Sequence, residues 1–202
     1  MDRRKFIAYS LAATSIAPAA MAQDTKDVEV VEMVLGNPDA TVTLTEYASF
    51  TCPHCARFHT DVMPSLKTDY IDTNKIKFVY REVYFDRLGL WGGMLARCGG
   101  SEKYFGIVDM LYKRQSDWTQ GADGTEISEK LYKIGRIAGL KNEDMQACLQ
   151  DQDMAKALVA AFQKNAEADG INSTPSLIIN GVSHGNQSYS ALKKLLDAQL
   201  ES

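Results

Sequence analysis

A pair of cysteines two residues apart is the feature of this sequence that most directly suggests chemistry. Cys52-Pro53-His54-Cys55 follows an apolar stretch, and proline is favoured at the first position of a helix. If Cys52 is the N-cap of that helix, Cys55 lies within one turn on the same side, at a spacing that a disulfide can bridge. The tetrapeptide therefore predicts a redox-active disulfide between Cys52 and Cys55.

The two thiols are expected to have different roles. Cys52 would lie at the positive end of the helix dipole, beside unpaired backbone N–H groups, and both favour its thiolate. A protonated or hydrogen-bonding His54 would lower the pKa of Cys52 further. Cys55 is expected to be shielded and to act as the resolving thiol. Since each pKa unit below ambient pH favours the dithiol by roughly 30 mV, the pair is predicted to be an oxidant.

Two other interpretations of the pair remain open. The disulfide could be structural, or Cys52, Cys55 and His59 could bind zinc. The remaining cysteines, Cys98 and Cys148, are far apart in the sequence and provide no second close pair for a zinc site. We therefore predict no metal. We also predict no cofactor, because no glycine-rich loop follows a strand at the spacing that phosphate, flavin or nicotinamide binding requires.

Strands are predicted on both sides of the cysteines by apolar and β-branched runs. They cover 30–35, 42–48, 76–85, 176–179 and 182–184, with Asn180-Gly181 as the turn of a hairpin. On the second strand Glu46 shares a face with Val42 and Leu44. A carboxylate buried there would lie under the active site and could exchange a proton with Cys55. An ordinary acid at a strand end is the alternative.

The segment between the third and fourth strands has helical spacing instead. Apolar residues recur at intervals of three and four in three groups: Trp91, Met94, Leu95 and Cys98; Ile127, Leu131, Ile134 and Ala138; Met154, Leu158, Ala161 and Phe162. An earlier helix is expected from Cys52 to about Tyr70, bent by Pro64. The order of elements predicts an α/β fold in which 23–87 and 171–202 form one discontinuous domain and 88–170 an inserted helical domain.

The first 22 residues have the form of a cleaved signal peptide. A basic start, Arg3-Arg4-Lys5, precedes an apolar stretch too short to span a membrane, and Ala20-Met21-Ala22 is a cleavage motif. The two arginines also match a twin-arginine signal. Cleavage removes three basic residues and one acidic residue, so the formal charge changes from −4 to −6. Such a protein is a poor match for nucleic acid, and export predicts an oxidising, periplasmic location.

These motifs together resemble the DsbA family of periplasmic disulfide oxidases. The resemblance rests on the cysteine tetrapeptide after Tyr47-Ala48-Ser49-Phe50 and on Ser173-Thr174-Pro175-Ser176 after a helical block, and it extends from about Val30 to Leu200. It implies a thioredoxin fold with an inserted helical domain. It also implies that Pro175 is cis and faces the cysteines, that Thr174 contacts bound peptide, and that Glu46 is the family's buried acid.

The resemblance implies partners as well. Unfolded or partly folded exported proteins would be the substrates, a quinone-linked membrane oxidase of the DsbB type would restore the disulfide, and the protein would act as a monomer. Two positions depart from the family's best-known members: His59 replaces an acid, and Tyr80 or Arg81 replaces a lysine. Cys98 and Cys148 resemble the second cysteine pair of some α-proteobacterial members, which implies a structural disulfide, with two buried free thiols as the alternative.

Introduction of disulfides into exported proteins, by exchange through Cys52 and Cys55, is the leading functional hypothesis. A disulfide isomerase or reductase with the same dithiol is the second. A peptide-binding chaperone of the same fold, in which the loop at Thr174 and Pro175 holds extended chains without redox chemistry, is the third.

Overall fold

A computed structural model describes residues 28–201 of the chain. The predicted signal peptide over 1–22 lies outside the described residues. Within 28–201, no helix combines the length and the apolar character needed to cross a bilayer.

Five strands of the described chain form one mixed sheet. They are β1 (Met33–Gly36), β2 (Thr43–Ala48), β3 (Lys77–Glu82), β4 (Ser176–Ile179) and β5 (Val182–Ser183), in the spatial order β1-β3-β2-β4-β5. β2 and β3 are parallel, and the other neighbouring pairs are antiparallel. Because β2 lies in the middle and is covered on both faces, Leu44 and Tyr47 are both fully buried although they point to opposite sides.

The predicted strands are confirmed in order, but two of their boundaries are wrong by three residues and others by one. The first begins at Met33 instead of Val30. The third ends at Glu82, because the chain then turns toward Asp86, whose Oδ1 accepts a hydrogen bond from the backbone N–H of Gly89 and caps the next helix. The predicted hairpin is confirmed, since its two turn residues, 180 and 181, have φ values of 45° and 84°.

Helices make up most of the remaining described residues. They are α1 (Pro53–Asp61), α2 (Met63–Leu66), α3 (Arg87–Cys98), α4 (Gly100–Lys113), α5 (Gln115–Trp118), α6 (Gly124–Ile137), α7 (Asn142–Gln150), α8 (Gln152–Ala168) and α9 (Tyr189–Leu200), and a π-helical turn, Lys67–Ile71, continues α2. The break between α1 and α2 falls at Val62, because Pro64 has no N–H to continue the helical hydrogen bonds. The predicted α/β fold with a helical insertion is confirmed, with α3 to α8 lying between β3 and β4.

Each face of the sheet is covered by its own apolar layer. On one face Leu44 packs in a large core with α1, α2, α4 and α9, to which Phe58 and Leu196 belong. On the other face Tyr47 and Ile178 form a smaller cluster against Phe162 of α8. The redox tetrapeptide follows β2, so its position is determined by the central strand of the sheet.

A buried ion pair attaches the insertion to the sheet. The Arg97 guanidinium of α3 donates two hydrogen bonds, of 2.7 and 2.8 Å, to the Glu82 carboxylate at the end of β3. The hydroxyl of Tyr104 donates to the same carboxylate at 2.7 Å. Because Arg97 and Glu82 retain only 9% and 6% side-chain exposure, removal of either partner would leave a buried charge uncompensated.

A disulfide joins two helices within the insertion. Cys98 at the end of α3 is bonded to Cys148 of α7, with their Cα atoms 5.8 Å apart and a sequence separation of 50. The bridge lies in the insertion and does not involve Cys52 or Cys55, which are both free thiols.

Candidate active site

The tight turn after β2 places Cys52 at the start of α1. Cys52 is the N-cap in an extended conformation, and Pro53 occupies the first helical position, as the sequence predicts. The backbone N–H of Cys52 donates to the Ser49 carbonyl at 3.1 Å, and the Cys52 carbonyl accepts from Ala56 N–H at 3.1 Å. These bonds hold Cys52 at the start of the helix, where the N–H groups of the first turn have no helical partner of their own.

The surroundings of Cys52 favour its thiolate. A hydrogen bond from the Cys55 thiol lowers the pKa of Cys52 the most, and the Thr174 side chain and the backbone N–H groups of Cys55 and His54 lower it further. Partial burial acts in the opposite direction. The net effect lowers the pKa of Cys52 from 9.0 to about 5, so this sulfur is an anion at neutral pH.

Cys55 is in the opposite situation. Its side chain is completely buried, and its thiol donates a hydrogen bond to the Cys52 sulfur. That hydrogen bond raises the pKa of Cys55 the most, followed by burial and by the negative charge of Glu46. One helical turn therefore contains a stable thiolate next to a stable thiol, which is the arrangement of a nucleophile and its resolving partner.

The loop before β4 faces the cysteine pair. The Thr174–Pro175 peptide bond is cis, and the Thr174 carbonyl oxygen lies 3.4 Å from the Cys52 sulfur. Pro175 is buried while Thr174 is half-buried. The structure thus brings together Cys52 and Thr174, which are separated by 122 residues in sequence.

Glu46 lies beneath the cysteines on the buried face of β2. It is fully inaccessible to solvent, and its Oε2 is 3.1 Å from the His59 Nε2 of α1. Within residues 28–201, its Oε1 has no hydrogen-bond partner. The parallel register of β2 and β3 places Glu46 beside Tyr80, whose hydroxyl is 2.7 Å from that of Tyr112. The carboxylate is therefore surrounded by titratable groups and not by water.

His54 is exposed, and its ring contacts Arg57 one helical turn later. The Arg57 Nη2 donates to His54 Nδ1 at 2.6 Å. A guanidinium can only donate, so His54 Nδ1 is the acceptor in this contact. His54 lowers the pKa of Cys52 through its backbone N–H, which donates a hydrogen bond to the Cys52 sulfur.

Two residues at this site were not identified as site residues by the sequence reasoning. His59 entered only as a possible zinc ligand and as a departure from the family, yet its spacing of four residues from Cys55 places it on the same helical face. Gln115 of α5 donates from Nε2 to the carbonyls of Phe50 and Cys52 at 2.8 and 2.9 Å. No local signal marks Gln115, because its contact partners lie more than 60 residues earlier in the chain.

Metal binding was the other chemistry considered for the pair. Among residues 28–201, no three His, Cys, Asp or Glu side chains are grouped so that they could hold a metal ion. The third proposed zinc ligand, His59, instead binds the Glu46 carboxylate.

Comparison with known proteins identifies relatives along almost the whole described chain. The family model for thioredoxin matches residues 28–198. A protein of Rickettsia bellii, named as a protein-disulfide oxidoreductase, is 36% identical over 171 residues, which are 84% of this chain and 65% of the relative. Disulfide bond formation protein D of Bacillus subtilis is 26% identical over 181 residues, covering 83% of this chain and 77% of the relative.

The fold has matches among solved structures as well. The crystal structure of Wolbachia pipientis alpha-DsbA1 superposes with a TM-score of 0.77 at 28% identity, covering 84% of this chain and 91% of that one. BdbD of Bacillus subtilis superposes with a TM-score of 0.74 at 21% identity, covering 85% and 94%, and shows a likeness of fold. The matched region spans only 60 to 65% of the length of the Rickettsia relatives.

Proposed function

Because the chain belongs to the thioredoxin family, and within it to the DsbA branch, we propose that it introduces disulfide bonds into exported proteins as a thiol–disulfide oxidoreductase. The observation that carries this proposal is the opposite perturbation of two thiols within one helical turn. The pKa of Cys52 is lowered to about 5, and that of Cys55 is raised. A nucleophile that remains an anion and a partner that retains its proton suit exchange chemistry at Cys52.

The proposed reaction consists of two displacements. A substrate thiolate attacks the Cys52 sulfur of the oxidised protein, the Cys52–Cys55 bond breaks, and Cys55 leaves and takes up a proton. A second substrate thiolate then attacks the substrate sulfur of the mixed disulfide, and Cys52 leaves as a thiolate. The substrate gains one disulfide and loses two electrons, which the protein retains as its dithiol.

The direction of electron flow follows from the stability of the Cys52 thiolate. Only the reduced protein contains this anion, so every group that stabilises it favours reduced over oxidised protein. The effect is roughly 30 mV for each pKa unit below ambient pH. We therefore assign the protein as an oxidant and not as a reductase or an isomerase.

The neighbouring residues have supporting roles in this proposal. Thr174, beside the cis-Pro175, would hold the backbone of a bound peptide next to Cys52, by hydrogen bonding as in strand addition. His54 would stabilise the thiolate through its backbone N–H. Glu46 would exchange a proton with Cys55, because its charge acts on that thiol and one of its oxygens has no partner within residues 28–201.

The biological setting is part of the same proposal. The protein would be exported to the periplasm through the predicted signal over 1–22, by the general or the twin-arginine route. It would act as a monomer on unfolded or partly folded exported proteins. A quinone-linked membrane oxidase of the DsbB type would restore the Cys52–Cys55 disulfide.

Oxidation of a peptide with two cysteines tests the proposal. Oxidised protein is mixed with the reduced peptide and disulfide formation is followed over time, with Cys52→Ser and Cys55→Ser variants as controls. We expect rapid stoichiometric oxidation by the unaltered protein and none by either variant. Oxidation by the Cys52→Ser variant at the unaltered rate would refute the assignment of the nucleophile.

The reduction potential distinguishes an oxidant from a reductant. Equilibration with glutathione at several ratios gives this potential, and we expect a value above about −200 mV. A value near −270 mV, roughly that of thioredoxin in the same comparison, would instead identify a reductase.

A further inference from the structure

The buried carboxylate of Glu46 is only half satisfied by its surroundings. Its Oε2 pairs with His59 at 3.1 Å, while its Oε1, within residues 28–201, has no hydrogen-bond partner. Buried polar atoms are nearly always hydrogen-bonded, and an exception requires an explanation. The charge of Glu46 acts on the Cys55 thiol, which is buried in the same core cluster as Leu44, a neighbour of Glu46 on one face of β2. An oxygen with a free lone pair, on a carboxylate whose charge acts on a thiol that must gain and lose a proton, is consistent with such an explanation.

The phenols near Glu46 cannot carry this proton themselves. Burial, above all, raises the pKa of Tyr80 and of Tyr112 well above 10, so both hydroxyls stay protonated. Their two oxygens are also bound to each other at 2.7 Å. The two tyrosine hydroxyls therefore do not carry the proton, whereas His59 contacts the Glu46 carboxylate directly.

His59 lies between the carboxylate and a cavity open to solvent. Its ring stacks on Tyr112 with centroids 4.1 Å apart and planes inclined by 25°, and this contact fixes Nε2 toward Glu46. The side chain retains 7% exposure and lines a cavity of about 420 Å³ together with apolar residues such as Met63 and Phe105. The second ring nitrogen, Nδ1, is thus the one that can exchange a proton with water in the cavity.

The other charged groups at this cavity are already paired. Asp109 and Lys113 of α4 bind each other at 2.7 Å, and Lys67 binds Asp72. The titratable groups that face His59 from the elements packed against it are Glu46 of β2, Tyr80 of β3, Tyr112, Asp109 and Lys113 of α4, and Lys67 of the π-helical turn. Among these, Glu46 is the one within hydrogen-bond distance of the imidazole.

We infer that His59 carries the proton of Cys55 between Glu46 and the water of this cavity, as a relay residue that acts through Glu46. The inference rests on the proposed function, since it concerns the resolving thiol of that reaction. When Cys55 leaves as a thiolate, Glu46 gives it a proton, His59 reprotonates Glu46 from Nε2, and water reprotonates His59. When Cys55 attacks a mixed disulfide, the same proton moves in the opposite direction and no electrons cross the relay.

Resolution of a mixed disulfide isolates the step that uses this relay. The protein is joined to glutathione through Cys52 at low pH, and a pH jump starts the attack of Cys55. The S–S bond to glutathione breaks, the Cys52–Cys55 bond forms, and one glutathione thiol is released for detection. The rate is measured from pH 5 to 9 for the unaltered protein and for His59→Gln, which retains a hydrogen-bond donor but cannot carry a proton, with His184→Gln on the β5 side as a matched control.

We expect His59→Gln to slow resolution by about 10- to 100-fold, at the low end of what a positioned acid–base group contributes, and to flatten its pH profile. His184→Gln should leave both unchanged. Glu46→Gln should have a similar effect, and the double variant should be no slower than either single variant, because the two residues act in one pathway. Resolution by His59→Gln at the unaltered rate, or full additivity in the double variant, would overturn the relay.

Chemical rescue separates proton transfer from a purely structural role. His59→Ala removes the ring next to the open cavity, so free imidazole can enter the vacated space. We expect added imidazole to accelerate resolution in His59→Ala and not in the unaltered protein. A variant that is folded, as shown by its near-ultraviolet circular dichroism, and that does not respond to imidazole would contradict the inference.

Failure of the relay can be distinguished from failure of the proposed function. Two measurements on the unaltered protein report on the proposed function alone: the pH titration of the Cys52 thiolate by ultraviolet absorbance, and the oxidation of a dithiol peptide. If both behave as expected while His59→Gln resolves normally, the relay is wrong and the oxidoreductase assignment stands.

Discussion

The hydrogen bond between the two active-site sulfurs is the strongest single influence on Cys52. The Cys55 thiol donates this bond, and it lowers the pKa of Cys52 more than any other group. Replacement of Cys55 by alanine removes the donor, whereas replacement by serine retains a hydroxyl at the same place. The two variants are therefore a matched pair that differs mainly in the hydrogen bond from residue 55 to the Cys52 thiolate.

The expected shift can be worked out from the strength of such bonds. A hydrogen bond to a charged group contributes about 1.5 to 3 kcal/mol, which corresponds to about 1 to 2 pKa units. Cys52 is only partly buried, so solvent screening reduces the effect to about one unit. We expect the Cys52 thiol of Cys55→Ala to titrate at about pH 6 instead of about 5, and that of Cys55→Ser to shift less than in the alanine variant.

Ultraviolet absorbance of the thiolate measures this titration directly in the reduced proteins. The Cys52→Ser variant provides the baseline, and the bonded Cys98 and Cys148 contribute no thiolate as long as their disulfide stays closed. If Cys55→Ala titrates like the unaltered protein, the bond from Cys55 is not the cause. If the unaltered protein titrates near 9.0, the ordinary value, the assignment as an oxidant fails with it.

Three further predictions concern stability, each measured by denaturant unfolding. Folding lowers the pKa of Cys52 from 9.0 to about 5, so the thiolate stabilises the folded protein fully above pH 9 and no longer does so once the pH has fallen through about 5. After solvent screening, the free energy of unfolding of the reduced protein should fall by about 1 kcal/mol between pH 7 and pH 4, relative to that of Cys52→Ser. Arg97→Met leaves Glu82 buried without its partner and should lower the free energy of unfolding by about 3 to 5 kcal/mol, part of which Glu82→Gln in the same protein should restore; no recovery would contradict the pairing. The double replacement of Cys98 and Cys148 by alanine opens a loop of 50 residues and should remove about 4 kcal/mol on the loop-entropy model, without a change in the Cys52 titration.

The sequence predicted those parts of the site that depend on neighbours along the chain. The N-cap position of Cys52 and the first helical position of Pro53 follow from local helix rules. The burial of Glu46 follows from its alternation with Val42 and Leu44. These signals are contained within a few residues, so the predictions based on them do not depend on tertiary contacts with the rest of the chain.

The parts that the sequence did not predict depend on distant contacts. The end of β3 at Glu82 is determined by Asp86, which caps α3, although Tyr84 and Phe85 have high strand propensity. The pairing of His59 with Glu46 requires the crossing of α1 over β2, which no periodicity specifies. Gln115 contacts the redox turn only because the insertion folds back over it.

That last contact determines how independently the redox turn can move. One side-chain amide of Gln115 binds the carbonyls of Phe50 and Cys52, so the segment before α1 is attached to the insertion at both of its ends. Amide hydrogens at the start of α1 should then exchange with solvent through the same opening as those of α5, as members of one cooperative unit. A peptide that binds at Cys52 and rigidifies the turn would, by the same attachment, slow exchange in the insertion without contacting it.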